Sequence, residues 1–260
     1  MPTPPANDLP PLRRDLIAGL EKGLAVIEAF DQLQPRLTIG EVAARCQFTR
    51  AAARRYLITL THLGYVASDG KTFALTAKVL RLGQSYMRSA QLPRLVQPEL
   101  NRLASSLKEA SSAGVLDGND VICIAATSVG RIVSATLQPG TRVPAYCTAN
   151  GRVLLGALPT EQADAWLARQ SLVALTPQTL TRPDHLRAEL IRARKQGYAL
   201  VDQELELGLR TLAVPLINAT GHVVAAINVS VHAASVPADR LLEVCLPALK
   251  QTQSSLRSLL

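Results

Sequence analysis

Apolar residues fall at steps of three and four as far as Leu107 and at steps of two through much of the remaining chain, so it reads as helices first and strands afterwards. The segment DLIAGLEKGLAVIEAFDQ sets Leu16, Leu20, Leu24, Ile27 and Phe30 on one stripe of an amphipathic helix. In LTIGEVAARCQ, Thr38 stands as N-cap with Glu41 in capping-box register, and Ile39, Val42 and Ala43 supply a short inward face. After a brief turn, Thr49 caps a further helix whose buried side is Tyr56, Leu57, Leu60 and Leu63, and Gly64 ends it. YVASDGKTFAL then predicts two short strands around Asp69-Gly70, a hairpin signal, with Lys71 at the tip. Helix, turn, helix and hairpin in that order predict a winged helix-turn-helix domain over residues 16–75, after a Pro-rich, disordered tail over 1–15.

TAKVLRLGQSYMRSA repeats apolar residues at Val79, Leu82 and Tyr86 and predicts a linker helix over 76–91. Val96, Leu100, Leu103 and Leu107 continue the helical period. Beyond them DVICIAAT, RIVSATL, TLAVPLI and HVVAAINVSV are rich in Val, Ile and Thr and read as strands, the last two joined by a turn at Asn218–Gly221. Helical patterns at 148–157, 160–169, 184–196 and 238–258 are interleaved with them. The fold class is therefore α+β, with residues 92–260 forming a second domain around a mainly antiparallel sheet closed by a C-terminal helix.

Charge changes the picture for the first domain. The chain carries 28 Lys+Arg against 20 Asp+Glu, a net +8, and the excess is clustered. From Arg36 to Arg88 there are nine basic residues and two acidic ones, so this third should meet a polyanion. With the leucines of TRAAARRYLITLTHLGY turned inward, Arg50, Arg54 and Thr61 point outward, and Arg55 and Thr59 lie on the flanks. Such a face fits the major groove of double-stranded operator DNA, where arginine reaches guanine O6 and N7. Thr49, the helix N-terminus and Lys71 suit phosphates. A solvated arginine-rich helix face is the bland alternative, and the ordered helix, turn, helix and basic hairpin argue against it.

Other chemistry is excluded more than suggested. No GxSxG, GxxxxGK[ST] or HExxH motif is present, and His62, His185, His222 and His232 have no local partner pattern. Cys46, Cys123, Cys147 and Cys245 are widely spaced, without a CxxC pair, and read as small buried residues; no metal, no cofactor and no catalytic residue is expected. Glu204 and Glu206 in VDQELELGLR read as solvating a loop after a strand. No apolar run of membrane length and no signal peptide are seen, so no membrane partner and a cytoplasmic location are expected.

The order of elements, with GYVASDGKTFALTAKVLRLG, YCTANGRVLLGAL and GLRTLAVPLINATGHVVAAINVSV, resembles the IclR family of transcriptional regulators over about residues 16–260. RVPAYCTANGRVLLGAL, YALVDQELELGLRTLAVPL and AAINVSVHA are closer still to the subgroup controlling protocatechuate and 4-hydroxybenzoate catabolism. The resemblance implies a homodimer or dimer of dimers, operator binding by the winged helix and a GAF-like C-terminal domain that binds a small effector. It places the effector pocket at Ile132, Val143, Ala149, Asn150, Val201, Thr211, Asn228 and Ser230, with Asn228 standing where the family often carries serine. Ala149-Asn150-Gly151 should open a helix whose free N–H groups suit a carboxylate, and Asn228 and Ser230 share one face of a strand. Arg131, Arg142, Arg152 and Arg210 flank these segments as possible carboxylate partners.

The reading reached is a DNA-binding regulator that responds to a small aromatic carboxylate, 4-hydroxybenzoate or protocatechuate, and controls aromatic catabolism. In it the carboxylate meets the helix at Asn150 or an arginine, and the hydroxyl sits near Asn228, Ser230 or Thr211. Three alternatives stay open: a regulator answering another small carboxylate such as β-ketoadipate, a small-molecule enzyme with a DNA-binding tail, and a constitutive DNA-binding protein whose large domain only dimerises.

Overall fold

The computed structural model describes residues 13–31, 33–127 and 137–260 of the chain. It divides between Tyr86 and Met87 into two compact units. The expected tail over 1–15 lies almost wholly outside the described residues, and so does the strand expected at RIVSATL, apart from Leu137.

In the first unit, helix α1 (Ala18–Glu28), strand β1 (Arg36–Leu37), helices α2 (Ile39–Arg45) and α3 (Arg50–His62), and strands β2 (Val66–Ser68) and β3 (Phe73–Leu75) follow one another. The three strands form an antiparallel sheet in the order β1-β3-β2. Both expected caps are formed. The Thr38 hydroxyl accepts from Glu41 N while Glu41 Oε2 accepts from Thr38 N at 2.7 Å, and the Thr49 hydroxyl accepts from Ala52 N at 3.2 Å. Gly64 takes a φ of +76°, the left-handed turn that ends α3.

The core of this unit is Val26, Leu37, Val42, Ala53, Leu57, Leu60 and Val66. Two expectations change here. Leu63 is 47% exposed rather than buried, because the inward stripe of α3 closes with Leu60 one turn before the helix ends. Leu16, Leu20 and Leu24 are also exposed; on α1 only Val26 is fully buried, since a domain this small covers only one narrow line of that helix.

A short 3-10 turn (Ala77–Val79) leads into α4 (Leu80–Ser89), and α5 (Gln91–Leu107) opens the fold of the second unit. Its sheet runs β6-β5-β4-β9-β8-β7, with every neighbouring pair antiparallel: β4 Ala110–Asp117, β5 Asp120–Ala126, β6 Arg142–Pro144, β7 Ala199–Asp202, β8 Leu209–Ile217 and β9 Val223–His232. Helices α6 (Ala149–Ala157), α7 (Thr160–Leu167) and α8 (Pro183–Gln196) fall between β6 and β7. The closing segment is not one continuous helix: α9 (Ala238–Arg240) passes through a π-helical turn at Leu241–Cys245 into α10 (Leu246–Arg257).

Strand alternation explains how this sheet is covered on both sides. In β9, Ala225, Ile227, Val229 and Val231 join Leu212, Val214 and Leu216 of β8 against residues of α5 and α10. The residues between them, Ala226 in β9 and Ala213 in β8, face α6 and α8. Glycines of α6 let it pack closely against the segment before it and against α8. A Cβ on Gly151 would stand 2.0 Å from the Ala145 carbonyl oxygen, and one on Gly156 would stand 2.8 Å from that of Leu190. Asn228 and Ser230 occupy the same face, where the period of two would otherwise call for apolar residues.

Candidate functional site

The first unit gathers its basic groups around an open cleft lined by Thr38, Ile39, Gly40, Arg50, Ala51, Arg54 and Lys71. The tight turn between α2 and α3 brings this about, setting the Arg50 guanidinium beside Gly40, where its Nη2 would make an ordinary 3.7 Å contact with a Cβ. Thr49 caps the helix beside the cleft. Arg55 and Thr59 are exposed further along α3 and do not line it; the Thr59 hydroxyl donates to Arg55 O.

Lys71 is presented by a rigid turn. Asp69 Oδ1 accepts from Lys71 N and Thr72 N, and its Oδ2 accepts from the Thr72 hydroxyl and from Arg36 at 2.7 Å. The Thr72 hydrogen bonds, more than Arg36, hold the Asp69 carboxyl well below the usual carboxylate range. Cleft and turn together present two guanidinium groups and an ammonium beside a capped helix start, an arrangement that can bind a run of phosphates and reach base edges.

The second unit holds a small pocket of about 40 Å³ between the sheet and the start of α6. Its apolar wall is Leu137, Val143, Val201, Leu205 and Leu209, and its polar groups are Cys147, Thr148, Asn150, Thr211, Asn228 and Ser230. Register places the sheet residues: Val201 pairs with Thr211 and Thr211 with Ser230, while Asn228 pairs with both Ala213 and Ser112. Thr148 caps α6 by accepting from Gly151 N at 3.2 Å. Burial pushes the Cys147 thiol up to about 12, with the Glu204 charge adding to the effect, so it stays neutral.

Six of the eight expected pocket residues line this cavity: Val143, Asn150, Val201, Thr211, Asn228 and Ser230. Ala149 is buried but does not line it, its place taken by the adjacent Thr148 and Cys147. Ile132 and Arg131 lie outside the described residues. Leu205 and Leu209, which reasoning from sequence missed, arrive on the loop after β7 and at the start of β8; the alternation of apolar and acidic residues in VDQELELGL was the signal available for them.

The other three arginines are engaged elsewhere, each by a carboxylate of the chain. Arg142 bridges Asp117 and Asp120 at the surface. Arg210 binds Asp202 at 2.8 Å and donates to the carbonyls of Ala233 and Val236. Arg152 is buried, donating to Glu204 Oε2 at 2.5 Å and to Tyr146 O. Glu204 is thus not a solvated loop residue: it is buried, and it also accepts from Leu180 N, whereas Glu206 is exposed. Among the described residues no cationic side chain lines the cavity. An acidic ligand there would be held by neutral donors.

Two family models match the chain: the IclR helix-turn-helix domain over residues 19–70 and the C-terminal domain of bacterial IclR transcriptional regulators over 84–257. The chain is 44% identical over 236 residues to a Pca regulon regulatory protein of Pseudomonas putida, covering 90% of this chain and 81% of that one. It is 39% identical over 250 residues to a p-hydroxybenzoate hydroxylase transcriptional activator of Acinetobacter baylyi, covering 94% and 92%. Among solved structures it resembles the inducer-binding domain of a double mutant of the PobR transcription factor from Acinetobacter in complex with 3-hydroxybenzoic acid, at a TM-score of 0.63 and 33% identity; that likeness covers 66% of this chain and 100% of the other.

Proposed function

The chain belongs to the IclR family of bacterial transcriptional regulators, and from that premise we propose that it is an operator-binding protein whose cavity takes a hydroxylated aromatic acid, 4-hydroxybenzoate or protocatechuate. The observation that carries this reading is the set of polar residues on an otherwise apolar, closed sheet face. Asn228, Ser230 and Thr211 stand where strand alternation calls for core residues, and apolar side chains line the rest of the pocket. Relatives named for Pca and p-hydroxybenzoate regulation, and a similar domain bound to 3-hydroxybenzoic acid, support the same class of ligand.

In this reading Arg50 and Arg54 enter the major groove from α3, and Thr49, Arg55, Thr59 and Lys71 contact the phosphate backbone on either side. The working division is a winged helix over 16–75, a linker over 76–91 and an effector domain over 92–260, with a homodimer or a dimer of dimers as the active form, acting in the cytoplasm. The exposed leucines on and just before α1 support pairing, since Leu16, Leu20 and Leu24 are apolar side chains that their own domain leaves uncovered. Effector binding acts through coupling: if it favours the placement of two DNA-binding domains that matches the half-site spacing, operator affinity changes, and operator changes effector affinity by the same factor.

A thermal-shift screen of hydroxybenzoates, benzoate and β-ketoadipate against the full chain tests this reading. Saturable stabilisation by hydroxybenzoates without turnover is expected. Turnover would identify an enzyme with a DNA-binding tail, stabilisation by β-ketoadipate alone would identify a different effector, and no shift with any acid would leave a dimerisation scaffold.

A further inference from the structure

A lone exposed aliphatic side chain means little on a protein surface, but Ile58 stands where its surroundings give it meaning. Helix α3 turns Ala53, Leu57 and Leu60 into the core of its unit, and at about 3.6 residues per turn Ala51 and Ile58 fall on the middle of the opposite face. Arg54 lies to one side of that midline and Arg55 to the other, both exposed. Ile58 is 47% exposed one turn beyond Arg54, past the basic cleft that Arg50, Arg54 and Lys71 line.

The outer face of α3 is thus divided along its length. Guanidinium donors crowd its start, and an aliphatic side chain follows before His62. Thr61, the exposed residue three positions after Ile58, donates its hydroxyl to Leu57 O at 2.8 Å, so that proton is spent within the helix. Isoleucine at this place is favoured neither by the helix, which prefers alanine or a straight-chain residue, nor by water. Two arginines within one turn of it draw a polyanion to this face and disfavour an apolar protein surface, which would have to strip them of water. On the floor of a major groove the apolar group is the C5 methyl of thymine.

We infer that Ile58 reads a thymine of the operator through its C5 methyl, within roughly two base pairs of the base that Arg54 meets. This rests on the reading that α3 enters the major groove. The arginines then select a base edge by hydrogen bonds, and Ile58 selects against cytosine, whose C5 carries only hydrogen, by the loss of an apolar contact.

The test replaces each thymine of a palindrome selected from random DNA with deoxyuridine, which keeps every base pair and removes only the methyl. Affinities of the full-length wild type, Ile58→Ala, Ile58→Val and Arg54→Ala are followed by fluorescence anisotropy. In the wild type, removing the methyl of one particular thymine should cost about 4-fold in one half-site and about 15-fold in both, as burial of one methyl-sized group each implies. In Ile58→Ala the unmodified palindrome should bind more weakly, and the methyl at that position should no longer matter. Ile58→Val, which keeps a branched pair of methyls, should retain most of the effect, and Arg54→Ala, weaker overall, should retain it in full. The DNA-free Ile58→Ala protein should melt close to the wild type, since the side chain is half-exposed and alanine favours the helix. A methyl effect that survives Ile58→Ala, or a palindrome in which no thymine methyl matters, overturns the inference while the groove assignment of α3 stands. A shift of Ile58→Ala toward monomer in sedimentation also overturns it and places Ile58 in a protein interface. If the wild type selects no DNA sequence, the groove assignment fails and the inference falls with it.

Discussion

Arg152 and Glu204 are two charges taken almost wholly out of water and paired with each other, with Glu189 4.0 Å from Arg152 as a second, more distant carboxylate. Their 2.5 Å contact ties the first turns of α6 to the loop that carries Leu205 into the cavity wall. Arg152→Ala should therefore destabilise the protein by about 3–5 kcal/mol in urea unfolding, since it strands Glu204 as an unpaired buried charge. Arg152→Met combined with Glu204→Leu should recover much of that loss; a double variant as unstable as the sum of the single ones would show that the pair is not the reason. Cys147 carries a second prediction. Its folded thiol keeps its proton up to about 12, while an unfolded thiol loses it near ~8.5, so the folded state binds more protons between those values and this contribution to stability falls as pH rises through that window. At pH 8 a thiol reagent should modify Cys46, the one part-exposed cysteine among the four, well before Cys147. Equal rates would contradict the burial. Pairings of this kind were illegible in the sequence: Glu204 and Arg152 are 52 residues apart, and nothing local distinguishes a buried glutamate from a solvated one.

Helix α3 and the start of α6 carry the predictions that belong to whole elements. Arg50→Ala or Arg54→Ala should cost about 1–3 kcal/mol of operator binding and relax specificity at one position if that side chain reads a base. Lys71→Ala should weaken specific and nonspecific DNA alike and lower the salt dependence by about one unit. Unchanged operator binding by the Arg50, Arg54 double variant would remove α3 from the groove. At α6, Gly151→Ala must push a methyl group into the backbone of Ala145, so it should lower the melting temperature and abolish effector binding, whereas Gly19→Ala, with open space around it, should do neither. The helices were legible because capping residues and three-to-four spacing are local signals. Strands β1, β4, β6 and β7 were not: β1 has two residues and β6 three, and β4 reads ASSAGVLD, whose small residues carry little strand preference and owe their place to pairing with β5 and β9. The polar side of the cavity could be read from strand alternation at Asn228 and Ser230, but the loop leucines that close it depend on tertiary placement.

At the scale of the whole molecule, one compact unit carries a basic cleft and the other a pocket between sheet and helix. The uncovered leucines of α1 predict a dimer or tetramer by sedimentation at micromolar concentration, and Leu20→Glu with Leu24→Glu should shift the population toward monomer and weaken binding to a palindrome far more than to a half-site. A strict monomer that binds a palindrome tightly would contradict this. The central claim is that one chain couples aromatic-acid binding to DNA binding, and the most direct measurement is the affinity of the full-length protein for a palindrome selected from random DNA, followed by fluorescence anisotropy with and without saturating 4-hydroxybenzoate. A change of about 5- to 150-fold, in either direction, is expected, matched by an equal change in 4-hydroxybenzoate affinity when the DNA is present. Operator affinity that is the same with and without an acid shown to be bound would contradict it.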